Sequence, residues 1–458
     1  MAQIDLLKLV EQYEPAARRV AETLWNNPEL PGEEKESCQL MKDILAEHGF
    51  KIQDVATEYI PYAFMAEYGS GHPVVAVLAD FDALPGLSQK VSSVHEPIVE
   101  GAPGHGCGHN LIAGSTVGAA LALKDYLEQW GGQGTLRFYA CPAEEISKGK
   151  AYMLKANSFD GCDVVIQWHP TTTNLAYERA YLAVDSYRFK FHGITSHAAI
   201  APHLGRSALD AVELMNVGVN YLREHVIDKA RIHYVITHGG IAPNIVPKYA
   251  ESLYFVRAPL RSDVQDIARR IKLIAEGAAM MTETQVEIEK VSGCYELLPN
   301  TVLRDVAYAN LEKTPFPHIT EEEEAFLAEM QKSLNPVELE SEARKFELEP
   351  STTIHKGLIS NEVADKAVVT ASDDIGDVSW NIPTCHFSVA VWPVGSAAHT
   401  WCATATSGSS IGFKAQHYAS QILAQVARDL FEKPELVEQA KAEFAKRTKG
   451  FTFVSALD

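Results

Sequence analysis

The sequence predicts an α/β protein in which a mainly parallel, helix-covered sheet is interrupted by an inserted α+β unit. Three observations lead there. Helical patterns alternate with short apolar, β-rich runs through the first two-fifths of the chain, the rhythm changes near Ala183 to β-α-β-β-α-β, and helical patterns with one further strand return towards the end. A length of 458 residues also exceeds one ordinary core, since domains average about 150 residues.

Taken in order, amphipathic spacing predicts a helix over 6–26 and a second over 34–48. The continuous apolar run VVAVLAD predicts a strand buried on both faces and ending at Asp80. After the Gly-rich loop GHGCGHN comes the small-residue helix LIAGSTVGAALALKDYLEQW, then the strands TLRFYACPAEE and VVIQWHP. Asp80, Asp82, Glu144, Glu145 and His169 all fall at or just past the C-terminal ends of these strands, where open α/β sheets place their ligands.

From Ala183 the strand AVDSYRFKFHG, the helix SALDAVELMNVGVNYLREHV, the strands IHYVITHGG and ESLYFVRAP, the helix DVQDIARRIKLIAEGAAMM and the strand TQVEIEKVSG follow. That ferredoxin-like βαββαβ order makes a four-stranded sheet with two helices on one face, and its ends can lie close enough for an insertion. The expected division is 1–182, an inserted unit at 183–298, and 299–458 completing the first domain. In the last part Thr320 reads as the N-cap of a helix whose first turn is a solvated glutamate run. FSVAVWP reads as a strand, and a final helical region starts at about Ala415.

Composition narrows the function. The chain has 40 basic and 60 acidic residues, a formal charge of −20, and no dense Lys/Arg cluster, which argues against nucleic acid and anionic lipid. No apolar run approaches the roughly 20 residues needed to span a bilayer, and the N-terminus is an amphipathic pattern rather than a signal peptide, so a cytoplasmic location is the expectation. The seven cysteines are odd in number, scattered and without CxxC spacing, which favours reduced thiols.

Cys107 stands apart from the other six because it lies between two histidines. Cys107 and His109, two apart, can project to one side of an extended loop and share a metal, with the following helix N-terminus favouring the thiolate. Glu144 and Glu145 close an apolar strand, where consecutive side chains point in opposite directions, so that one can bind metal while the other faces substrate. His169 follows 24 residues after Glu145, and His399 lies among small residues in GSAAHTW. Cys107, His109, Glu145, His169 and His399 thus offer five donors, enough for two metal ions with one bridging ligand. The aromatic segment YIPYAFMAEY reads as core, with packing against an acyl ring as its alternative.

At these residues a family resemblance becomes specific. LADFDALPG, GHGCGHN, PAEE, the His169 spacing, HGITSHAAIAPHLGRSALDA and IAPNIVPKYAE together resemble subfamily D of the M20 metallopeptidases, in the right order over nearly the whole chain. ASDDIGDVSWNIPT resembles the aminobenzoyl-glutamate hydrolase and dipeptidase group within it. The resemblance implies a two-metal hydrolase domain with an inserted lid and dimerisation domain, and a homodimer. It implies that Cys107, His109, Glu145, His169 and His399 bind the metals, that Glu144 is the general base and that Asp82 orients a metal ligand. His197 in GITSHAA resembles the histidine that crosses a dimer to steady the oxyanion, with a turn-capping or surface histidine as its alternative, and Asn244 and Arg257 resemble lid residues that hold substrate polar groups. A strand-surface ion pair is the competing reading of Arg257.

Two positions depart from relatives: Asp80 stands where many M20 enzymes outside this branch have a metal-binding histidine, and Asn110 where the auxin-conjugate hydrolases usually have Asp. A thiolate and three imidazoles suit zinc, while an open site with carboxylate and water also accepts manganese or cobalt. The expected activity is cleavage of the amide bond of an N-acyl amino acid such as aminobenzoyl-glutamate. The alternatives are a dipeptidase, a hydrolase of other aromatic acyl-amino acids, and a non-catalytic binding protein of the same fold.

Overall fold

A computed structural model describes residues 4–176, 181–367 and 371–457. The elements of the first segment are α1 (Leu6–Asn26), α2 (Lys35–Glu47), β1 (Lys51–Asp54), β2 (Phe64–Ser70), β3 (Val74–Asp80), α3 (His109–Trp130), β4 (Gly134–Cys141), α4 (Gly149–Lys155), β5 (Val164–Thr171) and β6 (Leu175–Ala176). Then come β7 (Ala183–His192), α5 (Ala208–Leu222), β8 (Arg231–His238), β9 (Tyr249–Ala258), α6 (Arg261–Thr282) and β10 (Gln285–Cys294). The chain closes with α7 (Thr301–Lys313), α8 (Glu321–Gln331), α9 (Pro336–Lys345), α10 (Asn361–Lys366), α11 (Ile375–Ser379), β11 (Thr384–Ala390), α12 (Trp401–Ser407), α13 (Ser410–Glu432) and α14 (Pro434–Arg447).

Contacts divide the chain into two units: one of Met1–Arg179, Leu298–Val368 and Val378–Phe453, the other of Ala180–Leu297, Val369–Asp377 and Val454–Asp458. The larger unit is built on a sheet of order β1-β2-β4-β3-β5-β11-β6. Its four central strands β4, β3, β5 and β11 run parallel, and the antiparallel partners β1, β2 and β6 sit at the edges. All seven residues of β3 are buried, as a strand covered on both faces requires. The chain passes from β3 to β4 on one side and then crosses to β5 on the other, so the order reverses at β3 and opens a crevice at the C-terminal strand ends.

The small residues of α3 have a packing reason. A Cβ on Gly114 would meet the Ala17 carbonyl oxygen at 2.6 Å, and one on Gly118 would meet Ala17 Cβ at 2.8 Å. Glycine four residues apart lets α1 lie almost backbone to backbone on α3, which seats the start of α3 firmly under the crevice.

The smaller unit holds an antiparallel sheet of order β10-β7-β9-β8. β9 alternates buried and less buried residues, and Phe189, Phe191, Tyr254 and Val256 form a core with Val212 and Met215 of α5 and Ile267 and Ile271 of α6. Two short C-terminal stretches join it: Leu182 N–H donates to Ala371 O at 2.7 Å, and Tyr295 Oη to Val454 O at 2.9 Å.

Among the described residues no helix is long and apolar enough to cross a membrane. All seven cysteines are free thiols. Burial pushes Cys38 and Cys385 up to about 12 and Cys402 up to about 11, the behaviour of inert apolar side chains. The segment YIPYAFMAEY is mostly core: Ile60, Phe64, Met65 and Ala66 are buried, while the exposed Tyr59 stacks on Tyr152 with ring centres 4.5 Å apart.

Candidate functional site

The residues that follow β3, β4 and β5 meet at the crevice. Asp82, buried just past β3, faces His109 Nδ1 with Oδ1 at 3.0 Å and its own carbonyl at 3.1 Å. His109 is the first residue of α3 rather than part of an extended loop, which corrects the sequence expectation. The reason is Gly108: with φ at +73° it turns the chain straight into the helix, and a Cβ there would meet Pro170 Cγ at 2.9 Å. Cys107 and His109 converge through that left-handed residue, not through extended alternation.

The tandem glutamates differ likewise from expectation. β4 ends at Cys141, and Glu144 and Glu145 lie in a tight turn entered through Ala143 at φ +60° and closed by Ser147 N–H to Glu144 O at 2.7 Å. They therefore do not point to opposite sides. Both carboxylates approach the same atom, His109 Nε2, Glu144 Oε2 at 3.7 Å and Glu145 Oε1 at 3.9 Å. The Glu145 N–H donates to Asp82 Oδ2 at 2.9 Å, so one aspartate holds both the imidazole and the turn.

His169 stands in β5, its Nδ1–H donating to Pro170 O at 2.7 Å and its Nε2 3.4 Å from Cys107 Sγ. His399, at φ +63°, is tied by its N–H to Gly106 O at 2.8 Å and places Nε2 3.2 Å from Glu145 Oε2. The five predicted donors thus come together in two triads, Cys107–His109–His169 and Cys107–Glu145–His399, each with its ligand atoms within 4.8 Å of one another.

Cys107 is common to both triads, which is what a bridging thiolate between two ions requires. A second observation fits cations here. His109 Nε2 and Glu145 Oε1 are buried without a hydrogen-bond partner, a costly state for polar atoms unless something else occupies the space between them. The electrostatics agree. Burial pulls His109 down, but the Asp82 hydrogen bond and the surrounding carboxylates outweigh it and lift the imidazole to about 9. Burial raises Asp82, and the bond to His109 more than reverses that, leaving it below the ordinary carboxylate range. The pocket is strongly cation-seeking.

Asp80 is not among these donors. Both its oxygens are occupied, Oδ1 by Lys150 Nζ at 2.6 Å and Oδ2 by Gln167 Nε2 at 2.7 Å, in a fully buried ion pair between β3, α4 and β5. Asn110 has a different structural reason. Its amide donates to Ala21 O at 3.3 Å and Ser407 O at 3.1 Å, fastening α3 to α1 and α12, a task no carboxylate can perform against two carbonyl oxygens. Sequence reasoning missed Lys150 and Gln167, and also Glu34, fully buried and bonded to the Ala143 N–H at 2.8 Å. GEEKES gives no sign that its second glutamate turns inward.

In the smaller unit His197 and Asn244 are neighbours: His197 pairs with Ile245 in an isolated bridge, and Ala198 N–H donates to Asn244 O at 3.0 Å. His197 Nδ1 accepts from Ala199 N–H and Ile200 N–H, each at 3.2 Å, which leaves the neutral ring its proton on Nε2. The exposed ring is therefore a turn cap that presents an N–H donor outwards. Arg257 does not join them. It lies near the far end of β9, roughly 27 Å from the start of the strand at about 3.4 Å per residue, with its guanidinium 5.7 Å from the Phe255 ring.

The sequence profile described as peptidase family M20/M25/M40 matches residues 76–442. The chain is 39% identical over 447 residues to a subunit of the p-aminobenzoyl-glutamate hydrolase of Escherichia coli (strain K12), covering 94% of this chain and 92% of the relative. It is 29% identical to the Xaa-Arg dipeptidase of Mus musculus, over 97% of this chain and 93% of the relative. A dinuclear metal binding peptidase of the M20 family from Bacillus subtilis has a crystal structure similar to this fold, with TM-score 0.58 and 19% identity, covering 92% of this chain and 99% of that one.

Proposed function

The chain belongs to peptidase family M20/M25/M40, and from that premise we propose that it is a metal-dependent amidohydrolase cleaving N-acyl amino acids of the aminobenzoyl-glutamate type. The observation that carries this is the pair of donor triads sharing Cys107, with a further carboxylate, Glu144, close beside them. Cys107, His109, Glu145, His169 and His399 would hold two divalent ions, zinc or manganese, with cobalt as a third option. When bound, the ions supply Lewis-acid polarisation of the scissile carbonyl and acidify the attacking water.

The chain's own residues do the rest. Glu144 takes the proton of the attacking water on its carboxylate and returns it to the leaving amine nitrogen, acting as base and then as acid. Asp82 fixes the His109 ring so that Nε2 faces the cation pocket, the usual task of a carboxylate behind a ligating imidazole. His197 offers its Nε2–H to the oxyanion. We assign residues 183–298 the role of lid and dimerisation domain, with His197 delivered from a second copy in a homodimer. Asn244, the neighbour of His197, is proposed to come with it from the second copy, and Arg257, remote from both along β9, to hold a polar end of the substrate from the other chain.

A panel of aminobenzoyl-glutamate, other N-acyl amino acids and dipeptides ending in arginine tests the reading and ranks substrates. Activity should vanish with a chelator and return with Mn²⁺ or Zn²⁺. Glu144→Gln should keep its metal and lose about 10²- to 10⁴-fold in kcat, the usual contribution of general acid–base catalysis. Chelator-insensitive turnover, or a Glu144→Gln variant as active as the parent, would remove the proposal. Preference for the arginine dipeptides would instead align the protein with the dipeptidase relative.

A further inference from the structure

The turn that carries Glu144 and Glu145 is gripped from both ends by acids that come from elsewhere in the chain. Asp82 Oδ2 accepts the Glu145 N–H at 2.9 Å, and Glu34 Oε1 accepts the Ala143 N–H at 2.8 Å. Glu34 stands before α2, its backbone entering from the turn at Gly32, where φ is +87°. Its other oxygen, Oε2, accepts the Gly32 N–H at 2.8 Å, and the side chain is wholly buried. A buried carboxyl with both oxygens committed to backbone amides is a fixed post rather than a mobile acid.

What it fixes is a strained residue. Ala143 adopts φ +60°, left-handed for a residue with a Cβ, and such a conformation persists only where the surroundings hold it. The Ala143 carbonyl is also engaged, by Gly149 N–H at 3.3 Å and Lys148 N–H at 3.4 Å. With Ala143 and Glu145 both tethered, the peptide units on either side of Glu144 are held and set the direction of its Cα–Cβ bond, and its carboxylate lies 3.7 Å from His109 Nε2.

We propose that Glu34 is a positioning residue for the hydrolytic reaction: by accepting the Ala143 N–H opposite Asp82, it sets the direction in which Glu144 presents its carboxylate. Burial first, and then the charge of Asp82, pushes the Glu34 carboxyl up against the pull of the two amides it accepts from, so at this position an acceptor oxygen matters more than a second negative charge beside Asp82. A neutral amide with a carbonyl oxygen can therefore replace it in part, and an apolar side chain cannot.

The inference rests on the assignment of Glu144 as base, and the experiment separates the two. Glu34→Leu, Glu34→Gln, Glu34→Asp and Glu144→Gln are purified as full chains, metal content is measured, and kcat and KM are determined per metal-loaded site. Glu34→Leu should lose at least about tenfold in kcat, with KM and metal stoichiometry little changed, because misplacing a reacting group by about 1 Å costs up to about 10²-fold. Glu34→Gln, which keeps an acceptor for the Ala143 N–H, should return kcat to within a few-fold of the parent. Should Glu34→Leu fail to fold, Glu34→Asp decides: it keeps the carboxyl but draws it one methylene away from Ala143, and kcat should fall as for Leu. An inactive Glu144→Gln beside an unimpaired Glu34→Leu or Glu34→Asp overturns the positioning role alone, as does a Glu34→Gln no better than Leu. An active Glu144→Gln overturns the reading of the whole site.

Discussion

Asp82 shows most directly how one side chain holds two parts of the candidate site at once. Its two oxygens hold the His109 imidazole and the Glu145 amide, so the carboxylate sets the ring direction and the turn position together. Asp82→Asn keeps one oxygen, puts an NH₂ where an acceptor is needed and removes the charge. It should weaken metal affinity about 10- to 100-fold, the usual cost of losing such a partner, read by titrating apo-protein with Zn²⁺ or Mn²⁺. Affinity unchanged in that variant would show that the imidazole is held by its other contacts. The convergence of Cys107, His109, Glu145, His169 and His399 was legible in the sequence because donor chemistry restricts residue type and strand ends restrict position. Glu34, Lys150 and Gln167 stayed hidden because a buried polar side chain is defined by what it meets across 70 to more than 100 positions of sequence, and no periodicity records that.

Among the elements, strands and helices followed their apolar patterns closely, and the departures lie in turns. β3 ends at Asp80 and α1 runs Leu6–Asn26, as the spacing predicts. The two segments that carry the site bend through positive φ at Ala143 and Gly108, where the sequence alone predicted extended chain; at Ala143 the residue itself gives no warning. Helix α8 gives a parallel lesson. Thr320 is its N-cap in a full capping box, as predicted, but Glu323 is no solvated side chain. Its carboxylate accepts Thr320 N–H at 2.8 Å, Ser410 Oγ at 2.6 Å and Lys414 Nζ at 2.6 Å, fastening α8 to the start of α13. Burial raises its pKa, but these three donors outweigh that and bring it down to about 2. A depressed folded-state pKa means the stabilisation is complete above the ordinary glutamate range, near 4.5, and is lost as pH falls towards 2. Glu323→Ala should lower unfolding free energy by about 1–2 kcal/mol at neutral pH, a cap and its bonds being worth that much. The gap from the parent should narrow on acidification in urea melts at pH 7, 4 and 3. A gap independent of pH would show that packing, not charge, carries the effect.

For the molecule as a whole, the smaller unit presents surface that a lone chain has little reason to keep. β8 is one of the two edge strands of its sheet and exposes Tyr234, Val235 and Ile236 in succession, while α5 exposes Leu214, Val217 and Tyr221 along one stripe. Exposed, uncharged edges invite pairing with another strand, and proteins that must stay monomeric usually blunt them with lysine. Apolar surface of this kind marks an association site more often than a free one. The protein should therefore scatter light as twice its 50.3 kDa chain mass. Val235→Lys should shift it towards the single chain without loss of bound metal, because β8 and the donor residues belong to different units. Turnover then discriminates between two ways of supplying the oxyanion donor. With His197 delivered from a second copy, the monomeric variant should fall in kcat to the level of His197→Ala, and the two substitutions combined should cost no more than either alone. A monomer with full activity would mean that each chain completes its own site, leaving the exposed edge to serve some other association.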